Sequence, residues 1–143
     1  RSGHAGIDVG VPIGLPLYAA TSGKIVYLVD NLQNWEATQS EYKTQKGYDQ
    51  NGGFGNMIIV EMDTPIGEAR YWEAHHLSPG TVSKKIGDRV EQGELFALTG
   101  HNGSSSGPHL HFGTCKRFIG TSCNSRNGGY SASVNPKIPL GWQ

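Results

Sequence analysis

The chain carries Ser106-Gly107-Pro108-His109-Leu110-His111-Phe112, two imidazoles two residues apart between apolar neighbours. That alternation predicts a short β-strand with His109 and His111 on one face and Leu110 and Phe112 on the other. Gly107 and Pro108 mark a turn before it. A strand that buries one face and offers paired imidazoles on the other suits a metal or acid–base chemistry. A second pair, His4 and Asp8, lies four residues apart. Gly3, Gly6, Gly10 and Pro12 disfavour a helix there, and an extended chain also keeps positions four apart on one face. His75 and His76 end a strand-like run from Ala69 to Ser78. Neighbours on a strand face opposite sides, so one of the two is expected to point into a given site and the other to be a surface or packing histidine. His101, in a Gly/Ser-rich loop, reads as solvent-exposed or as a groove contact.

Each pair alone is also explained by a polar sheet face or a structural His–Asp hydrogen bond. Together they allow a catalytic zinc site, which takes three protein ligands and keeps one position open. His4, Asp8 and either His109 or His111 would supply the three, and Asp8 is the only carboxylate among them. The remaining imidazoles would serve proton transfer during hydrolysis of an unactivated amide.

Positioning these residues falls to a mostly-β chain. The 143 residues include 21 glycines and show no long amphipathic helical window. Short apolar–polar runs separated by Gly, Pro and Asn recur instead, the pattern of an all-β domain with many turns. Strands are expected at Ala19–Val29, joined by a tight turn at Thr21-Ser22-Gly23, and at Met57–Met62. A turn at Thr64-Pro65-Ile66-Gly67 then leads into the strand ending at His75-His76. The segment Gly87–Gly100 reads as strand, turn, strand, and Val134–Leu140 as an extended terminal segment. The polar stretch from Asp30 to Asn56 holds Trp35, Tyr42, Tyr48 and Phe54, and such a long loop suits one wall of a substrate groove. Cys115 and Cys123 flank a Gly/Ser/Asn-rich loop and read as a local disulfide of an extracytoplasmic protein. Formal net charge is zero without a Lys/Arg cluster, which argues against nucleic acid or an anionic membrane surface. No apolar run reaches the length of a membrane span. The chain opens abruptly at Arg1-Ser2-Gly3-His4 without a signal peptide, as a processed form or an excised domain would. No repeat or linker divides it, so residues 1–143 are expected to form a single domain.

Four blocks carry a more specific resemblance: His4-Ala5-Gly6-Ile7-Asp8, His76-Leu77-Ser78, Gly87-Asp88-Arg89-Val90-Glu91-Gln92-Gly93, and Ser106–Phe112. In this order they resemble the signatures of the lysostaphin-like (LytM-domain) zinc endopeptidases, and they span most of the chain. The resemblance implies a compact antiparallel β-sheet core with long loops walling a substrate groove. It implies one Zn2+ per chain, held by His4, Asp8 and His111, with His76 and His109 as catalytic histidines. The implied activity is cleavage of peptide bonds in the stem or cross-bridge peptides of bacterial peptidoglycan. A relative that has lost catalysis and binds wall peptides or activates a wall hydrolase is the alternative. The enzyme is expected to act as a monomer, secreted or extracytoplasmic in the cell envelope, or carried by a phage. Two positions depart from the family pattern: Ala74 stands where an aromatic residue is common, and His75 directly precedes His76.

Overall fold

In the computed structural model the described residues are 7–34, 51, 54–103, 108–117 and 133–134. Nine strands lie among them: β1 (Ile7–Gly10), β2 (Pro16–Tyr18), β3 (Gly23–Val29), β4 (Met57–Ile66), β5 (Ala69–His75), β6 (Arg89–Val90), β7 (Leu95–Leu98), β8 (His109–Cys115) and β9 (Ser133–Val134). The all-β expectation holds. The main sheet runs β1-β8-β5-β4-β3-β6, with β9 added alongside β8, and all its pairings are antiparallel. A two-stranded sheet, β2 with β7, packs on one face of it.

The sequence alternation explains why that face is the core. Along β5, β4 and β8 the same side of the sheet receives Trp72 and Ala74, Ile58 and Val60, and Phe112, all buried. Trp72 is the largest fully buried side chain. Its ring meets Phe96 of β7 edge-on at 5.3 Å and Phe112 of β8 at 5.9 Å. Its indole N–H finds a partner in Thr21 Oγ1 at 3.1 Å, as a buried Trp requires. Gly23 permits close pairing of β3 with β4, since a Cβ there would lie 2.1 Å from the Glu61 carbonyl oxygen.

Two turns differ from expectation. Thr21-Ser22-Gly23 does not join a hairpin: β2 pairs with β7 and β3 with β4, so the chain crosses there from the small sheet to the large one. Strand β4 continues through Thr64-Pro65-Ile66, and the hairpin turns at Gly67 (φ 58°) and Glu68. Glycine suits that positive φ because it lacks a Cβ. The strand–turn–strand expected over Gly87–Gly100 is present as β6 and β7, although β6 joins the main sheet and β7 the small one. Most of the Asp30–Asn56 loop, the Cys123 end of the expected disulfide and nearly all of the terminal segment lie outside the described residues. Cys115 is buried at the end of β8.

Candidate metal centre and active site

Strand register assembles the polar face. In the β1–β8 ladder Asp8 stands opposite His111 and Gly10 opposite His109. In the β5–β8 ladder His75 stands opposite His111 and Glu73 opposite Gly113. Residues directly opposite share a face, so Asp8, His109, His111, His75 and Glu73 lie together on the side away from Trp72. Asp8 Oδ1 lies 2.8 Å from His111 Nδ1 and 3.9 Å from His109 Nε2. Burial pushes the His111 imidazole below its ordinary value; its bond to Asp8 opposes that shift, and the nearby His75 adds to it.

His4 lies outside the described residues. Among the described residues no three His, Cys, Asp or Glu side chains form a group that could hold a metal ion. Asp8 and His111 nevertheless bring one carboxylate oxygen and one imidazole nitrogen together, a donor pair suited to zinc.

His76 reaches the site by leaving the ladder. Strand β5 ends at His75, and His76 takes φ 66°, uncommon for a residue with a Cβ. Its ring centroid lies 4.5 Å from that of His109, while the His75 ring stacks on His111 at 4.6 Å and 23°. The adjacent histidines thus divide: His75 packs between Phe54 and His111, and His76 meets His109. Strand alternation no longer applies once the backbone enters the left-handed region. His76 Nδ1 donates to the Asn102 carbonyl at 2.7 Å, which leaves the lone pair on Nε2 in the neutral ring. Burial, reinforced by His75 and His109, holds His76 well below its ordinary value of 6.5.

Three asparagines hold this irregular backbone. The Asn102 amide donates to the Leu77 carbonyl at 2.7 Å and to Asn34 Oδ1 at 2.9 Å, and its Oδ1 accepts from the Asn56 amide at 2.8 Å. Asn56 donates to the carbonyls of Leu32 and Leu77, both at 2.8 Å. Gly55, with φ 65°, lies so close that a Cβ would sit 2.2 Å from Asn102 Oδ1. Asn56 and Asn102 give no sequence signal of this role, because beside Gly55 and Gly103 they resemble ordinary turn residues. Of the two readings of His101, the solvent-exposed one is corrected: it is 4% exposed, with its backbone amide donating to Asn34 Oδ1.

Glu73 and His75 were missed as a pair. His75 Nε2 directly contacts Glu73 Oε1, and both side chains are buried. Phe54, expected in a groove wall, packs edge-on against His75 at 5.0 Å. A cavity of about 320 Å³ elsewhere, lined by residues such as Thr21, Asp63 and Gln92, includes none of these groups.

The sequence profile described as peptidase family M23 matches residues 2–125. The chain belongs to this family. It is 30% identical to lysostaphin of Staphylococcus simulans over 152 residues, covering 98% of this chain and 25% of that protein. It is 34% identical to the glycyl-glycine endopeptidase ALE-1 of Staphylococcus capitis over 76% of its own length and 24% of the relative's. The peptidoglycan DD-endopeptidase ShyB of Vibrio cholerae is 30% identical over 76% of this chain and 20% of its own. The chain thus spans about a quarter or less of these M23 relatives. The catalytic domain of the antimicrobial peptidase lysostaphin superposes with TM-score 0.64 at 26% identity, covering 96% of this chain and 79% of that one. A zinc-containing peptidase from Vibrio cholerae superposes with TM-score 0.54 at 26% identity, covering 78% and 26%.

Proposed function

We propose that this M23 chain is a zinc-dependent endopeptidase that hydrolyses peptide bonds in the stem or cross-bridge peptides of bacterial peptidoglycan. The convergence of β1, β8 and the end of β5 carries the reading, because it sets Asp8, His111, His109 and His76 side by side. His4, Asp8 and His111 would hold the metal. Zinc, when bound there, polarises the scissile carbonyl and lowers the pKa of a water. His76 stays neutral in its buried position and receives a proton at Nε2, its Nδ1 being committed to Asn102. His109, with Nε2 facing Asp8, carries protons on the ligand side of the site. Asn34, Asn56 and Asn102 keep His76 turned toward His109.

Substrate choice draws support from two proteins similar to this chain, the glycyl-glycine endopeptidase ALE-1 and the peptidoglycan DD-endopeptidase ShyB. They cut different bonds, so the walls of the groove select the peptide, with the Asp30–Asn56 loop the segment proposed to do so. We take residues 1–143 as one peptidase domain acting as a monomer outside the cytoplasm, in the envelope, secreted or phage-borne. A Cys115–Cys123 disulfide fits that setting. Among the described residues no helix is long and apolar enough to cross a membrane.

Purified chain is expected to clear suspensions of purified cell walls, with chelator and His109→Ala each abolishing the loss of turbidity. Unchanged turbidity with walls of every cross-bridge type, at full zinc occupancy, contradicts the proposal and leaves the non-catalytic wall-binding relative.

A further inference from the structure

Glu73 and His75 lie two apart on β5, so strand alternation puts both on the site face. Glu73 faces Gly113, which has no side chain to exclude it. Its Oε1 contacts His75 Nε2, while Oε2 is buried with no hydrogen-bond partner among the described residues. Burying a carboxylate with one oxygen unsatisfied is costly, and an apolar strand residue would avoid that cost. The His75 ring that Glu73 holds lies between the edge of Phe54 and the face of His111. His111 in turn directs Nδ1 at Asp8. The four side chains form one line: Glu73, His75, His111, Asp8.

We propose that Glu73 and His75 are positioning residues for the metal site: Glu73 fixes the plane of the His75 ring, which clamps the His111 imidazole so that Nδ1 stays aimed beside Asp8. The proposal rests on the reading of Asp8 and His111 as zinc ligands. Neither Glu73 nor His75 touches substrate or metal in this scheme. Outer groups that orient a ligand commonly change metal affinity by about 10- to 100-fold when removed. The role needs both the hydrogen bond that holds the ring and the flat ring itself.

Two variants separate these parts. Glu73→Leu with His75→Phe keeps a flat ring against His111 and removes the bond. Because both polar partners go together, no buried group is stranded and the fold is retained. His75→Gln keeps a donor for Glu73 and removes the ring. Zinc affinity is measured by competition with a chromophoric chelator, and folding of the metal-free protein by thermal melting. Each variant is expected to melt near the wild type yet bind zinc about 10- to 100-fold more weakly. Glu73→Gln, which keeps the acceptor, is expected to restore most of the affinity. Wild-type zinc affinity in either folded variant overturns the proposal while leaving the zinc site standing. Failure of the wild-type chain itself to bind zinc overturns the site reading and the proposal with it. Should the double variant not fold, His75→Gln alone decides.

Discussion

Two histidine pairs face each other across the site, and they are built differently. His75 and His111 meet across a regular antiparallel ladder, directly opposite in register, with their rings stacked at 23°. His76 and His109 meet because the ladder stops: β5 ends, His76 adopts a left-handed backbone, and the rings lie tilted at 48°. Carboxylates flank the first pair, Glu73 on one side and Asp8 on the other. The second is steadied on the His76 side by a backbone carbonyl and an asparagine network. A regular ladder anchored by carboxylates suits groups that hold a cation in place. A ring with one nitrogen committed and the other left unprotonated suits a group that moves a proton.

The sharpest way to break this comparison is to remove one member of each pair. His109→Ala is expected to keep zinc and lower turnover by about 10²- to 10⁴-fold. His111→Ala is expected to release zinc, read as metal content after dialysis. If His109→Ala lost the metal and His111→Ala kept it, the division of labour between the pairs would be reversed. A smaller effect is expected in the network behind His76. Asn102→Ala strands the Asn56 amide in a buried position and should cost about 1–3 kcal/mol, seen as a lower melting temperature. Turnover should fall further than that loss of stability alone explains, because His76 is no longer held toward His109.

The smallest effect concerns pH. Burial lowers His76 well below 6.5 in the folded protein. Below 6.5 the unfolded chain binds a proton that folded His76 does not, so folding is opposed there. This contribution to stability is complete above 6.5 and is lost as pH falls from 6.5 toward the lower folded value. His111, also lowered by burial, adds the same sign. Metal-free protein should melt at a lower temperature near pH 5 than near pH 7.5, and His76→Gln should shrink the difference.

Much of the polar face could be read from spacing. Alternation in His109-Leu110-His111-Phe112 separates imidazoles from core, and Phe112 does lie against Trp72. Asp8 falls opposite His111 because β1 is extended, as its glycines and Pro12 indicate. The same period-two logic applies to Glu73-x-His75, but a single acidic residue between Trp72 and Ala74 carries no sequence signal of a buried partner. The placement of both His75 and His76 depends on one backbone dihedral that no residue type announces, since histidine is uncommon at positive φ. The crossing at Thr21-Ser22-Gly23 was equally hidden: its residues suit a tight turn, and only the pairing of β2 with β7 shows that no hairpin forms. The asparagines act through contacts between segments 21 to 68 residues apart, beyond the reach of any local pattern.

Mass spectrometry of muropeptides released from walls of differing cross-bridge, with and without chelator, tests the central claim most directly. The account predicts zinc-dependent products with a new amino terminus within a stem or cross-bridge peptide, all arising from one type of bond. Intact peptides in every wall type, with zinc bound to the chain, would contradict it.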